Sequence, residues 1–406
     1  MGRLQEAVRV QGEERELREV GLYVHVPFCL SRCPYCDFYS TGAPGPLDRY
    51  ADAVAAELDL VVGELFPGGG VRLDSVYFGG GTPTLLGPAA ASALLSRLKA
   101  PFVAAPDLEV SFEANPGSLD PEGLRLLRRA GVTRISLGVQ SLDDGLLRTL
   151  GRIHDAASAL DAFRLARLAG FENISVDLIY GIPGQTLERW VDTLDRAVGL
   201  GPDHVSVYGL TIEGDVPFHD LYGPSAPLAA AVPDDDAQAA MFESAFEVLG
   251  AAGYERYELS SYALAGRTCR HNLRYWSAGD YIGLGPSAAS YVRGAGRWGR
   301  RWRNAADLDG YLEALEAGAR PPAECEELTK GQAAMEDVFL SLRTSAGLDL
   351  EGFRDRYGVA LEEGRAAREL MGQGWLVRRG ERLALADRAA PLANEVLTRL
   401  LDVDIL

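Results

Sequence analysis

Three of the chain's five cysteines fall within eight residues, and this group is the clearest chemical feature of the sequence. Cys29, Cys33 and Cys36 stand in the segment CLSRCPYC, a C-x₃-C-x₂-C spacing. Three thiolates in one short loop can hold three irons of a [4Fe–4S] cluster and leave the fourth iron without a protein ligand. An iron of that kind can chelate a small molecule through an amine and a carboxylate.

The cysteines have two other interpretations, a structural zinc site and a chance group of free thiols. Structural zinc takes four ligands, usually in two pairs, and the second pair is missing here. His25 is the one candidate for a fourth ligand, but we expect it to lie on a strand and to point to the same side as Tyr23. The spacing therefore favours the iron–sulfur cluster.

The elements that must position this loop follow from alternating strand and helix patterns in the first half of the chain. The predicted strands are 22–27, 73–78, 108–114, 134–140, 174–181 and 204–210. Helical patterns lie between them, such as 50–62 and 187–198, the second with Thr186 as its N-cap. Six strand–helix units predict an α/β fold with a parallel sheet. Since a closed barrel of this kind has eight units, we expect an open, partial barrel.

The predicted strands carry polar side chains on one face, and several of these lie near the carboxyl ends of the strands. They are Glu113, Gln140, Asp177 and Tyr208. In barrels of this kind the chemistry is placed at those strand ends. A solvated sheet face is the alternative, but parallel sheets are normally covered on both sides.

The pattern changes in the second half of the chain. The whole chain is therefore predicted to have four segments. They are an N-terminal segment 1–20, the partial barrel 21–215, a connecting and covering region 216–327, and a C-terminal region 328–406. The last reads as three helices, a hairpin turning near Gly380 and a final helix, which predicts an α+β, winged-helix-like module. Its 11 Lys and Arg against 13 Asp and Glu do not favour DNA reading.

Charge and hydropathy exclude several classes of function. The formal net charge of −18 argues against a protein that binds nucleic acid through its phosphates. Segment 1–20 is too rich in charge for a secretory signal, and no apolar run is long enough to span a bilayer. We therefore expect a cytoplasmic protein with reduced thiols.

The cysteine spacing is the signature of the radical S-adenosylmethionine (SAM) superfamily, and the chain resembles that superfamily beyond the cysteines. The predicted strand 73–78 runs into Gly79, Gly80, Gly81 and Thr82, and glycines let backbone groups approach a ligand closely. This turn resembles the superfamily's site for the methionyl ammonium of SAM.

Further segments resemble the coproporphyrinogen-oxidase-like branch of the superfamily. They are YVHVPFC, FGGGTPT, FEANP, SLGVQS, LGRIHD and SVDLIYGIPGQT. The resemblance implies SAM contacts at Tyr23, Tyr35, Gly80, Gly81, Thr82, Glu113, Gln140, Arg152 and Asp177. For Arg152 and Asp177 an internal salt bridge is the alternative.

Two functions divide this branch, the oxygen-independent coproporphyrinogen III oxidases and a sister group of haem chaperones. The oxidases typically carry a fourth cysteine two residues after the third, where this chain has Phe38, and a longer N-terminal segment than the 28 residues before Cys29. The segment HNLRYW, which begins at His271, matches the HNxxYW segment of the chaperones. We therefore expect a haem chaperone, with the decarboxylating oxidase as the alternative.

The same resemblance points to a haem site. It makes His271 a candidate axial ligand, with Tyr275 and Trp276 as candidate walls for the porphyrin. A turn histidine in the core is the alternative for His271, and Cys269 is an alternative thiolate ligand. The implied partners are haem and haem-acceptor proteins, membrane-bound acceptors among them. A homodimer is left open.

Overall fold

The computed structural model describes residues 17–42, 47–118 and 120–404. Most of the predicted N-terminal segment 1–20 therefore lies outside the described residues. The expectation that this segment is not a secretory signal concerns those same residues.

The first six strands form the parallel sheet expected from the alternating patterns. They are β1 (Arg18–Val26), β2 (Val71–Gly80), β3 (Val103–Ala114), β4 (Arg134–Gln140), β5 (Ile174–Tyr180) and β6 (His204–Gly209). Each pairs in parallel with the next in sequence order. The prediction of an α/β fold with six strand–helix units in series is confirmed.

The helices between these strands pack their apolar sides on the sheet. They are α1 (Leu47–Leu65), α2 (Pro88–Lys99), α3 (Pro121–Ala130), α4 (Asp144–Thr149), α5 (Ala156–Leu168) and α6 (Leu187–Leu200). Their starts follow local chemistry, since Pro88 opens α2 and the Thr186 hydroxyl accepts from the Arg189 amide. Trp190 of α6 is fully buried, and its indole N–H donates to the Met241 carbonyl, 2.8 Å away.

The next region, predicted only to connect and cover, adds strands to both edges of the sheet. Its elements are α7 (Pro217–Tyr222), α8 (Asp235–Ala251), β7 (Glu255–Arg256), β8 (Ser261–Ala263), α9 (Arg270–Trp276), β9 (Tyr281–Leu284), β10 (Ala289–Val292), β11 (Arg300–Asn304), α10 (Leu308–Glu316) and β12 (Ala323–Glu327). Strand β9 pairs in parallel with β1, and β8 pairs antiparallel with β6. Within the described residues the sheet thus has twelve strands, in the order β12-β11-β10-β9-β1-β2-β3-β4-β5-β6-β8-β7. Strand pairing of this kind satisfies the backbone groups that open edges would expose.

The C-terminal region forms a small unit whose apolar core also includes Ala278 and Tyr291 of the preceding region. Its elements are α11 (Lys330–Ser341), β13 (Leu348–Asp349), α12 (Leu350–Tyr357), α13 (Arg365–Gly372), β14 (Leu376–Arg379), β15 (Arg382–Leu385) and α14 (Ala393–Asp404). The hairpin β14–β15 turns at Gly380, whose φ of 63° suits a glycine, and β13 joins it in the order β13-β15-β14. The winged-helix-like arrangement of three helices, hairpin and helix is confirmed.

Candidate functional site

A cavity of about 440 Å³ opens at the carboxyl ends of the parallel strands. Eleven of the thirteen residues proposed from the sequence line it: Cys29, Cys33, Tyr35, Cys36, Gly80, Gly81, Thr82, Glu113, Gln140, Arg152 and Asp177. Strands β1 to β5, with the loops that follow them, contribute these side chains from positions far apart in the sequence. The structure therefore brings the cysteine loop, the glycine turn and the polar strand ends together in one place.

The cysteine loop is closed at its base by main-chain contacts. Phe28 and Thr41 form a parallel bridge, in which the Cys29 amide donates to the Thr41 carbonyl over 3.1 Å. Inside the loop, the Cys36 amide donates to the Cys33 carbonyl, also over 3.1 Å. These contacts hold the three cysteines against the cavity, although the segment itself is neither helix nor strand.

The three thiols have surroundings that suit metal-bound thiolates. The Arg152 guanidinium donates to the Cys33 sulfur over 3.4 Å, and the Thr82 hydroxyl donates to the Cys29 sulfur over 3.7 Å. Burial, with repulsion from the neighbouring thiolates, raises the pKa of the Cys36 thiol. A free thiolate is therefore costly at Cys36, and a bound cationic centre would offset that cost.

The donor set fits a site-differentiated cluster better than a single zinc ion. His25 cannot complete a four-ligand set in this arrangement, because one ring nitrogen contacts the Tyr39 carbonyl at 2.8 Å and the other contacts the Tyr23 hydroxyl at 3.1 Å. Among the described residues, no three His, Cys, Asp or Glu side chains converge closely enough to hold one metal ion. Three sulfur donors around one cavity are the set that a [4Fe–4S] cluster with one open iron requires.

The glycine turn after β2 lies directly against the cysteine loop. The Gly81 amide donates to the Val26 carbonyl over 2.8 Å, and a Cβ at Gly81 would stand 2.7 Å from the Phe28 carbonyl oxygen. Gly80 has a φ of 102°, and a Cβ there would come within 2.7 Å of the His25 ring. A side chain at Gly81 would clash with main-chain oxygens, and Gly80 has a left-handed conformation that favours glycine.

Two partly buried carboxylates face the same cavity. Glu113 accepts from the Tyr77 hydroxyl over 2.8 Å and from the Gly80 amide over 3.2 Å, and burial raises its pKa to about 7. Asp177 accepts from the Ser136 and Ser175 hydroxyls, and burial raises its pKa as well. A ligand with an ammonium group and hydroxyls would supply the partners that these carboxylates lack.

Gln140 and Arg152 are held in unusual ways beside the carboxylates. Gln140 ends β4 with a φ of 65°, a left-handed conformation that is costly for a residue with a side chain and is concentrated at functional sites. Arg152 donates to the Asn115 side chain and to the Gly138 carbonyl as well as to Cys33. Among the residues that the structure describes, Arg152 forms no ion pair with a carboxylate, and so not the salt bridge of the alternative interpretation.

The two remaining predicted residues, Tyr23 and His271, do not reach the cavity. Tyr23 turns its hydroxyl to His25, and its ring stacks on that of Tyr77. Its implied SAM contact stays a prediction. His271 is fully buried at the start of α9, and burial lowers its pKa to about 3. Its ring nitrogens contact the Ser75 hydroxyl at 3.0 Å and the Tyr275 hydroxyl at 2.8 Å.

The structure buries His271 in the core, which is the alternative that the sequence left open for this residue. Both ring nitrogens of His271 are engaged, one with Ser75 on β2 and the other with Tyr275 on α9. Neither nitrogen is free to bind iron in this arrangement. Axial ligation by His271 therefore stays a prediction, and it requires one of these two contacts to break. Cys269 is fully buried and contacts the Glu109 carboxylate, so it is equally inaccessible.

Sequence reasoning missed several cavity residues, among them Asn115 and Arg134. Asn115 donates to the Thr82 hydroxyl over 2.9 Å and accepts from Arg152, so it joins the glycine turn to the arginine. Its signal was its place in FEANP, two residues after Glu113. Arg134 is 1% exposed at the start of β4 yet borders the cavity, and a charged first residue of a strand carried no visible signal.

A partial parallel barrel with three cysteines after its first strand and a glycine turn after its second defines a radical SAM protein. The radical SAM superfamily model matches residues 23–197, and the HemN C-terminal domain model matches residues 328–392. The heme chaperone HemW of Mycobacterium tuberculosis is 41% identical over 94% of this chain and 94% of its own length. HemW of Bacillus subtilis is 34% identical over 84% of this chain and 87% of its own length. The chain belongs to the HemW family.

A solved structure supports the fold assignment over nearly the whole chain. The coproporphyrinogen III oxidase HemN from Escherichia coli, a radical SAM enzyme, superposes with a TM-score of 0.79 at 25% identity. The match covers 95% of this chain and 90% of the oxidase. None of the helices that the structure describes has the length and apolar character needed to cross a bilayer.

The cysteine loop yields a first prediction, in which Cys33→Ala is compared with Cys325→Ala. Wild-type protein reconstituted under anaerobic conditions should hold about four irons per chain, and Cys33→Ala should lose most of them. Cys325 is exposed on β12, outside the cavity, so its removal should leave the iron content unchanged. Iron and sulfide analysis checks this. One zinc per chain without sulfide, or full iron in Cys33→Ala, would refute the cluster assignment.

The raised pKa of Glu113 yields a second prediction, for the pH dependence of SAM binding. Only the ionised carboxylate can pair with an ammonium group, and its pKa of about 7 means that ionisation is lost as pH falls. Lowering the pH from 8 to 6 should weaken SAM binding about tenfold. In Glu113→Gln the SAM affinity should no longer depend on pH through this group. Isothermal titration of SAM at each pH would measure this. An unchanged pH slope in that variant would contradict the assignment.

Proposed function

We propose that this protein is a haem chaperone that holds a [4Fe–4S] cluster, SAM and haem and delivers haem to acceptor proteins. One observation carries the choice: the cavity has three cysteines, and Phe38, 60% exposed at its edge, stands where the oxidases typically carry a fourth. Support also comes from relatives named as heme chaperones that match most of the chain.

Cys29, Cys33 and Cys36 are the proposed ligands of the cluster. When bound, the cluster supplies an open iron that can chelate the amine and carboxylate of SAM. Glu113 would accept a hydrogen bond from the ammonium group, and Asp177 would accept hydrogen bonds from ribose hydroxyls. Asn115 orients Arg152, because its side-chain oxygen accepts a hydrogen bond from the Nη2 group of the arginine. The guanidinium then lies beside the cysteine loop. The chain's own groups thus bind and orient, while the cofactors supply the redox chemistry.

The finer parts of the proposal concern partners and compartment. We infer that the haem acceptors include membrane-bound proteins, to which this chain docks peripherally, and that the protein acts in the cytoplasm. A cluster bound by cysteine thiolates requires a compartment in which thiols stay reduced and do not form disulfides. The net charge of −18 also disfavours nucleic acid as a partner. A homodimer is a further part of the proposal that light scattering with and without haem would test.

The alternative function is oxidative decarboxylation of coproporphyrinogen III, which the structural match to the oxidase favours. The deciding experiment incubates reconstituted protein with coproporphyrinogen III, SAM and a strong reductant under anaerobic conditions. We expect no protoporphyrinogen, together with saturable haemin binding by the same preparation. Formation of protoporphyrinogen over many turnovers would refute the chaperone proposal in favour of the oxidase.

A further inference from the structure

A second cleft, of about 750 Å³, lies between α9 and the C-terminal unit. Its walls come from α9, from the turn before β13, and from α12 and β15. None of the described residues lines both this cleft and the barrel cavity. Its volume is that of sites for small molecules and cofactors, which often lie between domains.

Five arginines and four carboxylates line the cleft, the carboxylates being those of Glu19, Asp74, Asp337 and Asp349. The lining therefore has a small excess of positive charge, although the chain as a whole is acidic. The five arginines are Arg270, Arg274, Arg293, Arg356 and Arg382. The first three are engaged at short range by carboxylates of Asp107, Asp74 and Asp337.

The two arginines from the C-terminal unit are engaged much less. Arg356 reaches the Asp337 carboxylate only at 3.9 Å, and that carboxylate is already bound by Arg293. Arg382 donates to the Gly347 carbonyl over 2.9 Å and has no carboxylate within ion-pair distance among the described residues. Because a guanidinium has five donors in a planar fork, both side chains can take a further carboxylate.

The opposite wall of the cleft is partly apolar and comes from α9. Leu273 and Trp276 are half-buried there, three residues apart and so on one side of the helix. His271 and Tyr275, four residues apart, lie on the inner side of the same helix and contact each other. Helix α9 therefore divides the HNxxYW segment, with the histidine in the core and the tryptophan facing the cleft.

One wall of the cleft is apolar, and the other carries two arginines with few carboxylate partners. This combination fits a flat, apolar molecule that carries two carboxylates. We propose that this cleft seats the tetrapyrrole, with Arg356 and Arg382 binding its two propionates and Leu273 and Trp276 contacting the ring. This inference rests on the proposed function, since it names where the haem of that function sits. It assigns the C-terminal unit a direct part in haem binding.

The test compares haemin with haemin dimethyl ester, in which both carboxylates are blocked, on reconstituted full-length protein. The double variant Arg356→Gln/Arg382→Gln should bind haemin at least about tenfold more weakly than wild type, since each charge-assisted pair is lost. Wild type should bind the ester as weakly as that variant binds haemin. Arg378→Gln is the matched control, because Arg378 is exposed on β14 and pairs with Glu381 outside the cleft.

The outcomes separate this inference from the proposed function. Unchanged haemin affinity in the double variant, or equal affinity of wild type for haemin and its ester, would overturn the cleft assignment while the chaperone proposal stands. Absence of haemin binding in wild type would instead overturn the proposed function itself. Iron content and far-ultraviolet circular dichroism equal to wild type would show that the double variant is folded. Restored haemin binding in Arg356→Lys/Arg382→Lys would support a charge role for these positions.

Discussion

The close approach of the glycine turn to the cysteine loop is the constraint on which the site depends. The amides of Gly81 and Thr82 donate to the carbonyls of Val26 and Phe28, over 2.8 and 2.7 Å. No side chain fits between these main-chain segments, so the ends of β1 and β2 behave as one unit. Cys29 follows Phe28 directly, and its position is therefore set by this contact.

The same unit extends sideways through polar side chains. Thr82 contacts both Cys29 and Asn115, and Asn115 binds Arg152, which returns to Cys33. Hydrogen bonds therefore connect residues that follow four different strands. Preorganisation of this kind reduces the cost of ordering the site when a ligand arrives.

A second set of contacts connects the barrel cavity to the cleft beside α9. Ser175 lies between Asp177 and His204, with 3.2 Å to the carboxylate and 2.8 Å to the ring nitrogen. The other nitrogen of His204 contacts the Tyr257 hydroxyl at 2.8 Å, and Tyr257 lines the cleft. The two sites therefore share no lining residue among those described. A chain of hydrogen bonds through buried polar side chains connects them.

What the sequence could predict was governed by how local each signal is. The six parallel strands and the capped helix α6 follow from periodicity and from Thr186, which act within a few residues. The short strands β8 and β9 were missed because they exist only through pairing with β6 and β1, far away in the chain. His271 was assigned from its motif, whereas its burial depends on how α9 packs on β2, which no local pattern contains.

The most direct test of the central claim is a haem transfer measurement. Cluster-containing protein is loaded with one equivalent of haem, mixed with a haem-free acceptor such as apomyoglobin, and followed through the Soret band. The account predicts one bound haem per chain and its complete transfer, with the iron–sulfur content of the donor unchanged. Haem that never binds, or that binds and is not released to the acceptor, would contradict it.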